Sequence, residues 1–165
     1  MNGYLVSIDP GIGGGIVTWD KQGMPKAYSM KSVAASPESL FEFLDNEVII
    51  CEDDIVYIER QPKFCGWQQF EETPIPSSSM AVQYGNYMLC YGICLALGAR
   101  VVPIAPVKWQ NLVECRNIER LKKLQWKNKL KRKAIELYGS CLKITLWNAD
   151  ALLIGHAAKI LENSA

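Results

Sequence analysis

The sequence predicts an α/β protein, a mixed sheet opened by an antiparallel meander and covered by helices. Three observations carry this expectation. Short apolar runs rich in β-branched and aromatic residues stand at 4–9 (YLVSID), 16–19 (IVTW) and 55–59 (IVYIE). Longer segments with helical cap and stop residues alternate with the later runs. The chain, 165 residues and 49% apolar, is long enough to bury one core.

Taken in order, residues 4–9 form a buried strand and 11–15 (GIGGG) a turn. Residues 16–19 make a second strand, 20–23 (DKQG) a hairpin loop, and about 26–31 a third strand. Ser36 before Pro37 and Glu38 starts a helix, with Leu40, Phe41 and Leu44 as its apolar stripe. Residues 55–59 are a fourth strand, and 60–76, with three prolines, a loop. Residues 77–98 read as a long helix capped by Ser77 to Ser79 and stopped by Gly98. That helix is apolar nearly all round, so it is buried or pairs with a partner. A fifth strand (ARVVPIAP) closes at Pro103 and Pro106, and a short helix spans 106–113. The basic segment is then helical to about Tyr138, and 148–162 is the last helix, with Asn148 at its cap. Nothing resembles a linker or a repeat, so residues 1–165 are expected to be a single domain.

Composition excludes several classes. There is no apolar run long enough for a membrane span and no basic leader followed by a hydrophobic stretch. A cytoplasmic protein, associated with nucleoid or viral DNA, is the expectation. The six cysteines are expected to be free in such a setting, with Cys90 and Cys94 on one buried helix face. A single histidine and no CxxC pair argue against zinc.

Charge distribution says more than the net charge of +1. Residues 116–133 hold nine of the 18 Lys and Arg and one acid, Glu119, so this segment carries +8 and the remainder −7. A polyanion partner is expected, with Lys122, Lys123, Lys127, Lys129, Lys131, Arg132 and Lys133 gripping phosphates. The bland alternative is a solvated helix face. The loop after Glu59 interleaves Arg60, Lys63, Phe64, Trp67 and Phe70, a pattern suited to stacking on exposed bases or to a small aromatic cluster that holds the loop.

Three acids stand in apolar settings: Asp9 after Val6-Ser7-Ile8, Glu59 after Val56-Tyr57-Ile58, and Asp150 within Ala149-Asp150-Ala151-Leu152. A lone buried carboxylate tends to protonate, whereas a divalent cation with oxygen ligands keeps it charged. Spacing alone leaves two readings open: convergence on a metal pair, or three separate caps and surface groups.

The chain resembles RuvC-type Holliday-junction resolvases of the RNase H-like superfamily, closest to compact phage-type members. The resemblance covers nearly the whole length: SIDPGIGGG, YIERQ, the 77–98 helix, VVPIAPVKWQ and NADALLIGHAAK, in this order. It implies a five-stranded RNase H-like mixed sheet whose first three strands form an antiparallel meander. It implies that Asp9, Glu59 and Asp150 hold two Mg²⁺ or Mn²⁺ ions. It further implies a homodimer that nicks four-way DNA junctions in pairs, leaving 5′-phosphate and 3′-hydroxyl ends, with no nucleotide cofactor. Lys108 falls where related resolvases place a basic residue near the cleavage site, and Phe64 where a base wedge approaches the crossover. One position departs. The family carries a further acid or histidine three residues before the helix aspartate, and here that residue is Trp147. Asn148 or a water would have to fill the gap. His156 lies about 240° around the helix from Asp150 and is expected to be a packed or polar helix residue. The departure keeps a second class open, a branched-DNA-binding protein that does not cleave. A third, an actin-like phosphotransferase suggested by DPGIGGG, lacks room for its second domain.

Overall fold

In the computed structural model, which describes residues 4–61 and 77–164, five strands form one mixed sheet of order β3-β2-β1-β4-β5. They are β1 (Leu5–Ile8), β2 (Gly15–Trp19), β3 (Pro25–Ser29), β4 (Ile55–Glu59) and β5 (Arg100–Ile104). The first three are antiparallel, and β1, β4 and β5 run parallel. This is the expected RNase H-like layout.

Strand alternation divides the core. Val6, Ile8, Ile16, Val56 and Ile58 face one side, where α1 (Met30–Val33), α2 (Pro37–Glu42) and α3 (Ser77–Ala96) cover them. Leu5, Val17, Trp19, Ile55, Tyr57 and Ile104 face the other, under α4 (Pro106–Leu112), α5 (Lys123–Tyr138) and α6 (Ala149–Asn163). Both faces are buried, which is why β1 and β4 read as continuous apolar runs.

A serine hydroxyl is buried within the second face. Ser7, fully buried in β1, donates from Oγ to the Ala151 carbonyl of α6 at 2.8 Å and accepts from Trp19 Nε1 at 3.1 Å. One side chain thus ties β1, β2 and the first turn of α6 together. Trp19 packs edge-on against Tyr138 of α5 at 5.1 Å, and the Lys159 ammonium lies 3.8 Å from its ring centroid.

Several local expectations need correction. The third strand ends at Ser29, and Met30–Val33 turns into helix. Ser36 does cap α2, its Oγ accepting from Ser39 N, but Phe41 is exposed while Leu40 and Leu44 are buried. The turn after α2 is a π-helix at Phe43–Glu47. Pro103 sits inside β5, which is an edge strand. The basic segment is not one helix. It breaks at 113–122, with Glu114 and Arg120 at positive φ, before α5 begins. The helix α3 is not buried all round, for Val82, Met88 and Leu95 are exposed. Gly98 ends it at φ 92°, as its type predicts. Asn148 stands at the N-cap of α6, yet its side chain makes no capping bond.

The fit of α6 on the sheet predicts a stability outcome. A Cβ at Gly155 would lie 2.3 Å from Trp19 Nε1. Gly155→Ala should therefore lower stability by about 1–3 kcal/mol through overpacking, read as a lower urea midpoint at unchanged slope.

Candidate active site

Register brings the first two acids together. In the parallel β1–β4 pair Ser7 lies beside Tyr57 and Ile8 beside Ile58, so Asp9 and Glu59 follow as neighbours on the α6 face. The Ser7 bond to Ala151 sets the N-terminus of α6 above them, with Asp150 in its first turn. The three acids lie within one another's field. Burial first, then the charge of Asp150, pushes the Asp9 carboxyl up to about 6. Burial first, then Asp9 and Asp150, pushes Glu59 up to about 8.

Each oxygen has a distinct environment. Glu59 is held at both ends: Trp109 Nε1 donates to Oε1 at 3.0 Å and Gln61 Nε2 to Oε2 at 3.0 Å. Among the described residues Asp9 Oδ1 receives only a long bond, 3.3 Å, from Gly11 N. Asp150 Oδ2 accepts from the Lys127 ammonium, while its Oδ1 is buried with no partner among the described residues. Asp54 is a useful contrast. Equally buried at the start of β4, it accepts from Tyr4 N and Cys51 N, one on each oxygen. Backbone satisfies Asp54; nothing satisfies Asp150 Oδ1.

Lys127 is the cation of the site. Burial works against its charge, but Asp150, Asp9 and Glu59 outweigh that and hold its pKa above the ordinary lysine range. It reaches the site because it shares the inner face of α5 with Leu130, Ala134 and Tyr138, at helical spacing. That periodicity was the available signal. The expected phosphate grip at this position is therefore an ion pair with Asp150. Lys129 and Lys133 also pair, with Glu119 at 2.6 Å and Glu136 at 2.9 Å, whereas Lys122, Lys123 and Arg132 are exposed and Lys131 half-buried.

The glycines after Asp9 serve the carboxylate. A Cβ at Gly14 would lie 2.3 Å from the Asp9 carbonyl and 2.6 Å from its Cγ. One at Gly15 would meet the Trp147 ring at 3.0 Å. Residues 11–14 make the expected turn, with Gly14 N donating to the Gly11 carbonyl at 2.8 Å, and since neither Gly14 nor Gly15 has positive φ it is close approach that requires glycine at both. Trp147 thus packs on β2. Asn148 does not replace the missing ligand: its Oδ1 accepts from Thr145 N at 2.8 Å and its Nδ2 donates to the Lys143 carbonyl at 3.1 Å. His156 bonds through Nδ1 to the Tyr138 hydroxyl at 2.7 Å, away from the acids. Lys108 is exposed on α4, and its neighbour Trp109 is the residue that touches Glu59. Arg60 is exposed beside Glu59. Lys63, Phe64, Trp67 and Phe70 lie outside the described residues.

Oxygen-only donors suit a hard divalent cation, and the orphaned Asp150 Oδ1 is the acceptor such an ion would occupy. Among the described residues, however, no three such side chains already form a closed cage. Lys127 offsets part of the negative charge.

The five-stranded mixed sheet, covered by helices on both faces, has the RNase H-like fold. Among solved structures it is similar to RuvC. Thermus thermophilus RuvC in complex with a Holliday junction substrate aligns with a TM-score of 0.57 at 14% identity, covering 98% of this chain and 96% of that one. Thermus thermophilus RuvC alone gives 0.56 at 16%, with the same coverage. The sequence matches no protein-family model and no curated protein.

The raised acids predict a pH dependence. Their folded pKa values exceed the ordinary carboxylate value, so between about pH 4 and 8 the folded state holds protons that the unfolded state releases. In EDTA, stability should fall as pH rises through this window. Glu59→Gln should flatten the pH 6–8 part and raise the melting temperature at pH 8.

Proposed function

We propose that this protein is a divalent-metal-dependent endonuclease that cuts branched DNA, with four-way junctions as its substrate. The observation that carries the reading is the convergence of Asp9, Glu59 and Asp150 at one edge of a RuvC-like sheet, with an Asp150 oxygen unpartnered. Asp9, Glu59 and Asp150 would hold Mg²⁺ or Mn²⁺, two ions for a complete centre. Bound there, the metal supplies Lewis-acid activation of water and neutralises charge on the phosphate.

The chain's own groups do the rest. Trp109 and Gln61 fix the Glu59 carboxylate against rotation. Lys127 sits within the field of all three acids and can transfer its hydrogen bond from Asp150 to a phosphate oxygen. Lys108, on the exposed side of α4, can approach the same phosphate. Lys122, Lys123, Lys131 and Arg132 offer backbone contacts along α5, and Arg60, Lys63, Phe64 and Trp67 complete the DNA surface in this reading. The products are 5′-phosphate and 3′-hydroxyl ends.

Paired nicks need two sites. The outer face of α3 exposes Val82, Gly85, Met88, Gly92 and Leu95 at helical spacing, a surface on which a second copy packs two-fold. The protein would act where its DNA lies, in the cytoplasm. Among the described residues no helix is long and apolar enough to cross a membrane.

A second reading, junction binding without cleavage, is favoured by Trp147 in place of a ligand and by Lys127 on Asp150. A synthetic four-way junction separates the two. With Mg²⁺ the wild type should nick opposite strands and Asp9→Asn should lose at least 100-fold. Binding without nicks in either Mg²⁺ or Mn²⁺ supports the second reading, and equal cleavage by Asp9→Asn refutes the site. In sedimentation velocity the wild type should run as a dimer, and a Val82→Glu, Leu95→Glu double variant as a monomer.

A further inference from the structure

The rim of the sheet at β3 lies far from the acids and carries its own pattern of donors and acceptors. Asp20 N donates to the Met24 carbonyl and Met30 N to the Gly14 carbonyl, each at 3.1 Å. Even-numbered residues of this stretch therefore turn their backbone groups to β2, including Lys26 opposite Thr18 and Tyr28 opposite Ile16. The backbone groups of Pro25, Ala27 and Ser29 point away from the sheet. Ala27 and Ser29 offer N–H donors there, whereas Pro25 offers a carbonyl and no donor. Among the described residues no backbone or side-chain group accepts from Ala27 N or Ser29 N. The Ser29 carbonyl is already taken, by Ser32 Oγ at 2.8 Å.

This pattern is complementary to itself. When a second β3 lies antiparallel about a two-fold axis at Ala27, the two Ala27 residues face each other and exchange both N–H···O bonds. On either side of the axis Ser29 N–H of one copy donates to the Pro25 carbonyl of the other. The donor that proline lacks falls opposite the Ser29 carbonyl, an acceptor already occupied. Side chains agree with this register. Lys26 comes directly opposite Tyr28 of the second copy. Within one chain the Lys26 ammonium lies 5.0 Å from the Tyr28 ring centroid, and the same cation–π attraction is available across the axis. An axis at residue 26 would instead oppose Lys26 to Lys26 and leave no mutual bond at its centre. Proline and lysine ordinarily deter pairing at an edge, yet the Ala27 register accommodates both.

We propose that β3 pairs with β3 of a second copy of this chain, joining two five-stranded sheets into one. The contact does not depend on the nuclease reading. It is also separate from the outer face of α3, because α3 packs over β4 and β5 at the other end of the sheet. With five residues a side, the interface is small, so pairing is weak and needs concentrated protein. It strengthens where two copies are already held close together, as on one nucleic acid. Pro103 interrupts the β5 edge, so the joined sheet ends there and does not grow into a fibre.

Hydrogen exchange at single amides, followed by NMR, tests this on the wild type and on the Val82→Glu, Leu95→Glu variant. From dilute protein to about 1 mM, exchange at Ala27 and Ser29 should slow by about 3-fold or more. Lys26 and Tyr28 amides, already bonded to β2, should not change. Ala27→Pro removes the central donor at a position whose N–H has no partner within the sheet, and should abolish protection at Ser29. Lys26→Glu should weaken that protection while leaving every backbone group in place. It keeps the test open should circular dichroism show Ala27→Pro unfolded. Ala27→Cys, in a Cys51→Ser, Cys65→Ser, Cys141→Ser background, should form a disulfide across the axis, where facing Cα atoms stand about 5.5 Å apart. Lys26→Cys in the same background should cross-link about 10-fold more slowly, since its thiols do not face each other. Unchanged exchange at Ala27 and Ser29 in concentrated protein overturns the proposal, as does equal slowing at Lys26 and Tyr28. Equal cross-linking at residues 26 and 27 overturns the register. A protein that fails to cut DNA, or that does not dimerise through α3, leaves all these readings intact.

Discussion

The arrangement depends on one buried hydroxyl. Ser7 accepts from Trp19 and donates to the carbonyl of Ala151, the residue next to Asp150. A single such bond contributes only about 0.5–1.5 kcal/mol. Its importance is positional. A helix advances about 1.5 Å per residue, so slippage of α6 by one residue would rotate and displace Asp150 relative to Asp9 and Glu59. Gly155 against Trp19 supplies the second point of register one turn further on. Sheet pairing fixes two acids, and these contacts deliver the third.

Having gathered three acids, the fold must keep them from repelling one another. Asp54 shows the ordinary solution, in which backbone N–H groups take both oxygens. Asp9, Glu59 and Asp150 are left under-satisfied: two of them carry raised pKa values, and one oxygen has no partner among the described residues. Lys127 offsets part of that deficit from the neighbouring helix. Such incomplete compensation is a stability disadvantage, and it is the pattern that the proposed metal and DNA site would require.

Much of this was legible from residues. The alternation of Val6, Ser7, Ile8 and of Val56, Tyr57, Ile58 gives both strands and the parity that puts Asp9 and Glu59 on one face. Ser36 and Gly98 mark helix boundaries by known capping physics. Lys127 was harder, because the cations of residues 116–133 look alike until the helical phase of α5 is set by Leu130 and Ala134. The break before α5 carries no glycine or proline; Glu114 and Arg120 take positive φ there without any local signal. Gly14 and Gly15 suggest flexibility in one dimension and show close packing in three. The roles of Trp109 and Gln61 depend on contacts across 50 residues and across a strand end, which spacing does not encode.

The proline within β5 bears on how the molecule meets copies of itself. Arg100 N donates to Asp54 O and Ile104 O accepts from Arg60 N, so even-numbered β5 residues face β4. Pro103 therefore turns its missing donor to the open rim of the sheet. An incoming strand would find the hydrogen-bond ladder interrupted there, and runaway edge-to-edge stacking is discouraged. The β5 edge is thereby protected from strand addition, and the sheet can stay rigid as a mounting for the acids.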